Sequence, residues 1–175
     1  QTLRVIIMTS TTQTLVDMTV SVDGNTVGTM TFEFWSHIAP ATVDNFLKYV
    51  NDGFYNGKTF HRVIPGFMIQ GGCPDGTGSG SGPNGNIKGE FTAEKDYSHK
   101  RGVLSMARSQ NPDSASCQFF VCHGDAAFLD NDYAAFGKLI AGEDALDAVA
   151  AVQTLPGDKP TQPCVIESMV ARTEG

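Results

Sequence analysis

Residues 60–72 read FHRVIPGFMIQGG. Two strand candidates, 59–64 and 67–70, are interrupted there by Pro65-Gly66, and a glycine-rich stretch follows. The same thirteen residues hold one guanidinium, one neutral amide and several large apolar side chains. A guanidinium is costly to bury unless it is hydrogen-bonded, so Arg62 belongs either at a surface or against a ligand's acceptors. With Phe67, Met68 and Gln70 beside it, the second is favoured: a pocket that grips something apolar and polarises it.

Upstream, Val16, Met18, Val20 and Val22 alternate with Asp17, Thr19 and Ser21, the two-residue period of a half-buried strand. Asp23-Gly24-Asn25 makes a turn, and Met30, Phe32 and Phe34 resume the alternation, so the two runs form an antiparallel hairpin. Val5 to Met8 has strand character, while the polar run to Thr14 reads as a loop, an extension or an irregular first strand. Pro40 opens a helix whose apolar residues Val43, Phe46, Leu47 and Val50 recur at helical spacing, and Gly53 stops it. A second helix is expected over 143–153, with Glu143 and Asp144 favourably placed near its N-terminus and Pro156-Gly157 ending it.

Further strands are expected at 103–106, 118–122, 134–139 and 165–170. The sum is about eight strands and two helices, a mainly β chain whose strands close into a barrel or pack as a sandwich. At 175 residues the chain is long enough for one substantial core, and a single domain over 1–175 is expected.

The formal charge of -7 argues against a phosphate-binding surface, so no nucleic-acid partner is expected. No apolar run approaches the roughly 20 residues that span a bilayer, and no membrane association is expected. A cytoplasmic, monomeric protein is the expectation, with export left open because a targeting segment upstream of Gln1 is unseen. Cys73, Cys117, Cys122 and Cys164 form no CxxC pair and read as buried free thiols; no metal and no cofactor are expected. Gly80, Gly82 and Gly85 fit a dinucleotide-binding spacing, but Pro83 to Asn86 continue a loop where that fingerprint needs a helix, so the match is discounted.

FHRVIPGFMIQGG, followed in order by LSMAR at 104–108, SCQFF at 116–120 and the run from FLD at 128–130 to FGK at 136–138, resembles the cyclophilins, with PDSASCQFF closest to their bacterial branch. The likeness runs from about Val16 to Val170. It implies a closed eight-stranded antiparallel β-barrel capped by two α-helices, with the substrate groove on the outer face. It also implies peptidyl-prolyl cis-trans isomerase activity on proline-containing peptides and unfolded protein clients. Carried over by position, the catalytic arginine is Arg62, the proline pocket is Phe67, Met68, Phe120 and Leu129, and Gln70 is the groove glutamine. Ala107 and Gln118 fall where the residue before proline lies. Without the likeness, the four apolar residues read as ordinary core.

Three positions depart from the commonest family pattern. Phe128 stands where many eukaryotic members carry tryptophan, so cyclosporin binding is expected to weaken. Tyr133 replaces a usual histidine and can still donate a hydrogen bond. Arg108 replaces a usual asparagine and is expected to act through its backbone. His61 is expected to face away from Arg62 if the strand is regular, and Cys122-His123 to be no catalytic pair, because strand neighbours face opposite ways. By the same alternation Gln118, Phe120 and Cys122 share one face and Phe119, Val121 and His123 the other, one face being groove and the other core. Trp35 is expected to lie outside the site. A binding module with incidental catalysis is the rival reading.

Overall fold

The computed structural model describes residues 12–174; the strand character at Val5 to Met8 lies outside them. The first hairpin forms as expected, β1 (Gln13–Val22) against β2 (Asn25–Phe34). Gln13 and Thr14 are not loop: they open β1 and pair with Glu174 and Thr173. Next come α1 (Pro40–Asn51), β3 (Phe60–Ile64), β4 (Met68–Gly71), β5 (Val103–Met106), β6 (Phe119–Cys122) and β7 (Ala135–Ala141). After them follow α2 (Glu143–Ala150), β8 (Thr154–Leu155), β9 (Lys159–Pro160) and β10 (Cys164–Glu174).

Eight strands form one antiparallel sheet in the order β10-β1-β2-β7-β5-β6-β4-β3. The sheet curls until its edges meet, but the seam is short. Thr59 bridges Val165, and the Gly57 N–H donates to the Ile166 carbonyl at 2.7 Å. A closed barrel therefore overstates the architecture: it is a curled sheet whose edge strands touch at one bridge instead of sharing a ladder.

The concave face carries the main core, where Met18, Met30 and Phe32 from the first hairpin meet Phe119 and Val121 of β6 and Phe136 of β7. From α1, Phe46 packs edge-on against Phe119 at 5.6 Å and tilted against Phe136 at 5.2 Å. Burying each such ring contributes about 1.5–3 kcal/mol before strain and entropy are counted. No side chain of the N-cap residue Ala39 satisfies the start of α1. The Glu90 carboxylate does so from a distant loop, accepting the Thr42 N–H at 2.6 Å and the Ala41 N–H at 3.3 Å. It satisfies exposed helix donors and opposes the positive end of the helix dipole.

The second helix ends at Ala150, short of Gln153. Pro156 and Gly157 belong instead to the turn between β8 and β9, a small hairpin absent from the sequence reading. Its turn residue Asp158 accepts the Val63 N–H at 2.8 Å, covering part of the outer edge of β3.

A smaller apolar cluster lies on the other side of the sheet, where Trp35, Met68, Phe120, Cys122 and Leu129 pack together. Next to it, the fully buried Ser105 hydroxyl meets His99 Nε2 at 2.8 Å, and His99 Nδ1 meets Asp130 at 2.8 Å. A carboxylate can only accept, so Nδ1 carries the proton and Nε2 of the neutral ring accepts from Ser105. The order is that of a hydrolytic triad, but a serine with no exposed surface cannot reach a substrate. It is a brace between β5 and the turn at 127–129, and His99 stacks on Phe120 with ring centres 6.0 Å apart.

The brace makes stability fall in acid. Burial holds the His99 pKa below its ordinary value, an effect only partly offset by Asp130. The unfolded chain then takes up a proton near pH 6.5, about the ordinary histidine value, while the folded chain resists it. Burial pushes the Asp130 pKa up, but hydrogen bonds from His99 and Ser98 outweigh it and hold the carboxyl below the usual range. Its contribution, present above the unfolded value of about 4, is lost as pH falls further. Thermal midpoints measured at pH 7 and pH 5 should drop in the wild type and drop less in His99→Gln. His61, whose pKa burial also lowers, contributes to the remainder. Equal drops in both proteins would rule out His99 as the source.

Candidate active site

Strand register places the candidate residues side by side. Arg62 pairs with Gln70 across β3 and β4, Gln70 with Phe120 across β4 and β6, and Phe120 with Ser105 across β6 and β5. Residues directly opposite in antiparallel strands project from the same face. Met68, two residues before Gln70, shares that face and pairs with Cys122. The alternate positions Ile69 and Val121 turn to the main core.

Arg62 reaches this row because β3 is irregular. The register slips between Phe60 and Arg62, and both Phe60 and Val63, three residues apart, are buried in the main core. A regular strand would have put Phe60 and Arg62 on one face; the bulge at His61 turns the guanidinium outward. The expected regular alternation of His61 and Arg62 therefore does not hold. His61 is half-buried, and its Nδ1 has no hydrogen-bond partner among the described residues.

A hollow of about 150 Å³ opens on this face. Phe67, Met68, Phe120 and Leu129 form its apolar part, and Arg62, Gln70, Ala107, Arg108 and Tyr133 also line it. Phe67 is seated through the turn before it. The His123 N–H donates to the Phe67 carbonyl at 2.8 Å, and the Gly66 N–H donates to His123 Nδ1 at 2.8 Å. Gly124 must lack a side chain, because a Cβ there would collide with the Gly66 carbonyl.

Arg62 is exposed at the rim. Its one hydrogen bond among the described residues runs from Nη1 to Gln70 Oε1 at 3.5 Å, the long limit of such contacts, so the guanidinium keeps its other donors for a ligand. Gln70 Nε2 donates in turn to Gln118 Oε1 at 3.1 Å. Gln118 sits just ahead of β6, with its carbonyl accepting the Ala107 N–H at 3.0 Å, and lines a second, more polar hollow of about 260 Å³. Gln70, Ala107 and Arg108 border both hollows, so the two form one groove.

Phe128 does not line the apolar hollow. It is 72% exposed and lies against Phe67 at 5.6 Å, which extends the rim outward. Tyr133 meets Phe120 edge-on at 5.9 Å. The side chain of Arg108 is more engaged than a backbone role requires. Its guanidinium lies over Tyr133 at 4.8 Å and over Phe91 at 5.5 Å, and it donates to the Asp132 carbonyl at 2.7 and 2.9 Å. It thereby ties the Tyr133 side of the groove to the strand end that carries Ala107. Trp35 is absent from the lining but packs in the cluster with Met68, Phe120 and Leu129.

Cys122 is fully buried, and burial pushes its thiol up to about 12, so it is no nucleophile at neutral pH. Among the described residues no group of three or more His, Cys, Asp or Glu side chains is arranged to hold a metal.

The family model described as cyclophilin type peptidyl-prolyl cis-trans isomerase matches residues 15–171. The chain belongs to the cyclophilins. Peptidyl-prolyl cis-trans isomerase B of Bacillus subtilis is 48% identical over 120 residues, covering 69% of this chain and 80% of the relative. Peptidyl-prolyl cis-trans isomerase A of Dickeya dadantii is 44% identical over 139 residues, covering 74% and 72%. Among solved structures, a cyclophilin-type isomerase of Cryptosporidium parvum superposes with a TM-score of 0.83 at 29% identity, covering 94% of this chain and 100% of that one. A crystal structure of the same protein obtained in the presence of the dipeptide Ala-Pro gives 0.82 at 30% identity, covering 91% and 99%.

Proposed function

We propose that this cyclophilin accelerates rotation about Xaa-Pro bonds in protein clients, with the proline ring seated on Phe67, Met68, Phe120 and Leu129 and with Arg62 as the catalytic group. One observation carries the reading: a guanidinium held by a single long hydrogen bond among the described residues stands at the rim of a small apolar hollow. The reaction must cross an amide barrier of about 18–20 kcal/mol. In the planar ground state the imide nitrogen shares its lone pair with the carbonyl and accepts little. Halfway through rotation the lone pair localises, and Arg62 can donate to it. The guanidinium then binds the transition state better than the substrate, which is what lowers the barrier.

A charge-assisted hydrogen bond contributes about 1.5–3 kcal/mol net, or roughly ten- to a hundred-and-fifty-fold in rate. Arg62 is open to water in the free protein, so the peptide laid across the groove supplies the cover that strengthens this bond. The hollow holds the ring while the acyl side swings, which removes part of the orientational cost. No nucleophile, metal or proton transfer takes part. Ala107 and Gln118 flank the residue before proline.

The test follows cis-to-trans conversion of a short Ala-Pro peptide with and without the protein. Acceleration supports the enzyme; tight binding of one isomer without acceleration supports a proline-peptide binding module instead. Cyclosporin provides a second check. Phe128 offers no N–H, so inhibition should be weak in the wild type and should strengthen about tenfold or more in Phe128→Trp, the value of one regained hydrogen bond with added ring contact. Unchanged inhibition would remove Phe128 from the drug's footprint.

A further inference from the structure

We propose that the glycine-rich loop at 73–80 positions Arg62 for reaction through Gln118 and Gln70, with Gln118 as a positioning residue. This rests on the assignment of Arg62 as the catalytic group. An amide side chain has a donor end and an acceptor end, and its neighbours decide which way round it sits. At Gln118 they leave no choice: Nε2 lies 2.9 Å from the Gly78 carbonyl and 2.9 Å from the Gly80 carbonyl, and carbonyls only accept. Gln118 Oε1 must then face Gln70, so Gln70 presents Nε2 to it and turns its own Oε1 toward Arg62. A guanidinium only donates. The polarity needed at the catalytic end is thus set at the loop end.

The loop is itself held in place. The Gly78 and Gly80 N–H groups donate to Cys73 Sγ at 3.3 and 3.4 Å, and the thiol donates to Asp75 at 3.0 Å. Asp75 also accepts from the Thr77 backbone and hydroxyl. Each of the two glycines is therefore gripped twice, by sulfur through its N–H and by Gln118 through its carbonyl. Gly78 has φ +91°, and a Cβ there would press on His61 at 3.3 Å, so the loop passes close to the bulge that aims Arg62. Without Gln118, Gln70 is free to turn its NH2 group toward Arg62, where donor meets donor and the guanidinium is pushed off its place.

The test uses the full chain, with kcat and KM measured separately on an Ala-Pro peptide and thermal midpoints recorded alongside. Gln118→Met keeps the side-chain length and removes the hydrogen bonds of the Gln118 amide to Gln70, Gly78 and Gly80. The expected result is a fall of about tenfold in kcat with KM changed by less than about threefold, the loss of one oriented charge-assisted hydrogen bond in the transition state. In a Gln70→Met background the same substitution should have no further effect on kcat, because the relay is already cut. Cys73→Ala should lower kcat in the same direction and be equally silent in that background. Effects on kcat that add to Gln70→Met, a rise confined to KM, or an unchanged kcat would each overturn the relay. Failure of the underlying assignment is separable. If Arg62→Ala leaves the rate intact, Arg62 is not the catalytic group; if Arg62→Ala abolishes it while Gln118→Met does nothing, only the relay falls.

Discussion

Arg62→Ala should lower kcat/KM by about one to two orders of magnitude while leaving the folded protein as stable as before, because the side chain is exposed and makes one long hydrogen bond. The separation of the two effects is the informative part. A core arginine would cost stability when truncated, through an orphaned partner; here Gln70 keeps its bond to Gln118 and no charge is stranded. Arg62→Lys should restore little. A lysine ammonium is a compact, strongly hydrated point charge and lacks the planar fork that reaches both Gln70 and an imide nitrogen. Rates within about threefold of the wild type in Arg62→Lys would mean that charge alone, without direction, suffices.

Phe120→Ala should damage both properties. Phe120 is 5% exposed, stacks on His99, meets Tyr133 edge-on and forms part of the hollow. Truncating a buried phenylalanine costs about 3–5 kcal/mol, which for a chain of this size lowers the thermal midpoint by roughly 6–20 °C. Activity should fall further than the folded fraction does, because the proline ring loses its seat. Phe120→Leu, which keeps most of the volume, should recover most of the stability and less of the activity. A Phe120→Ala protein with a wild-type midpoint would show that the outer cluster contributes little to folding.

The difference between these two residues was only partly visible in the sequence. Alternation along 118–122 separates Phe119 and Val121 from Phe120 and Cys122, and the structure sends the first pair to the main core and the second to the outer cluster. The same logic failed at Arg62. Period-two reading assigns Phe60 and Arg62 to one face, and only the bulge at His61 separates them. A bulge is one residue without a partner across the ladder, so it is specified by the facing strand and leaves no local pattern.

Long-range polar contacts were illegible for the same reason. Glu90 capping α1 and Gln118 meeting Gly78 and Gly80 join residues about 40 or more positions apart. Periodicity carries no record of such pairs. The family resemblance brought Phe67, Met68, Phe120 and Leu129 into a groove where hydropathy alone made them core. It gave Arg108 only a backbone role, and the guanidinium on Tyr133 became apparent only with coordinates. The hairpin of β8 and β9 went unread because four strand residues around Pro156-Gly157 carry no alternation, and the helix reading ran on over the coil before it.

The most direct measurement is exchange spectroscopy on a saturating Xaa-Pro peptide, which reads the interconversion of its two isomers while they remain bound. Wild type and Arg62→Ala should bind the peptide with affinities within about threefold, because the ring sits in the apolar hollow; on-enzyme exchange should be fast in the first and slowed by about tenfold or more in the second. Equal exchange rates in the two proteins, or a loss of exchange explained wholly by loss of binding, would contradict a guanidinium that acts on the half-rotated bond.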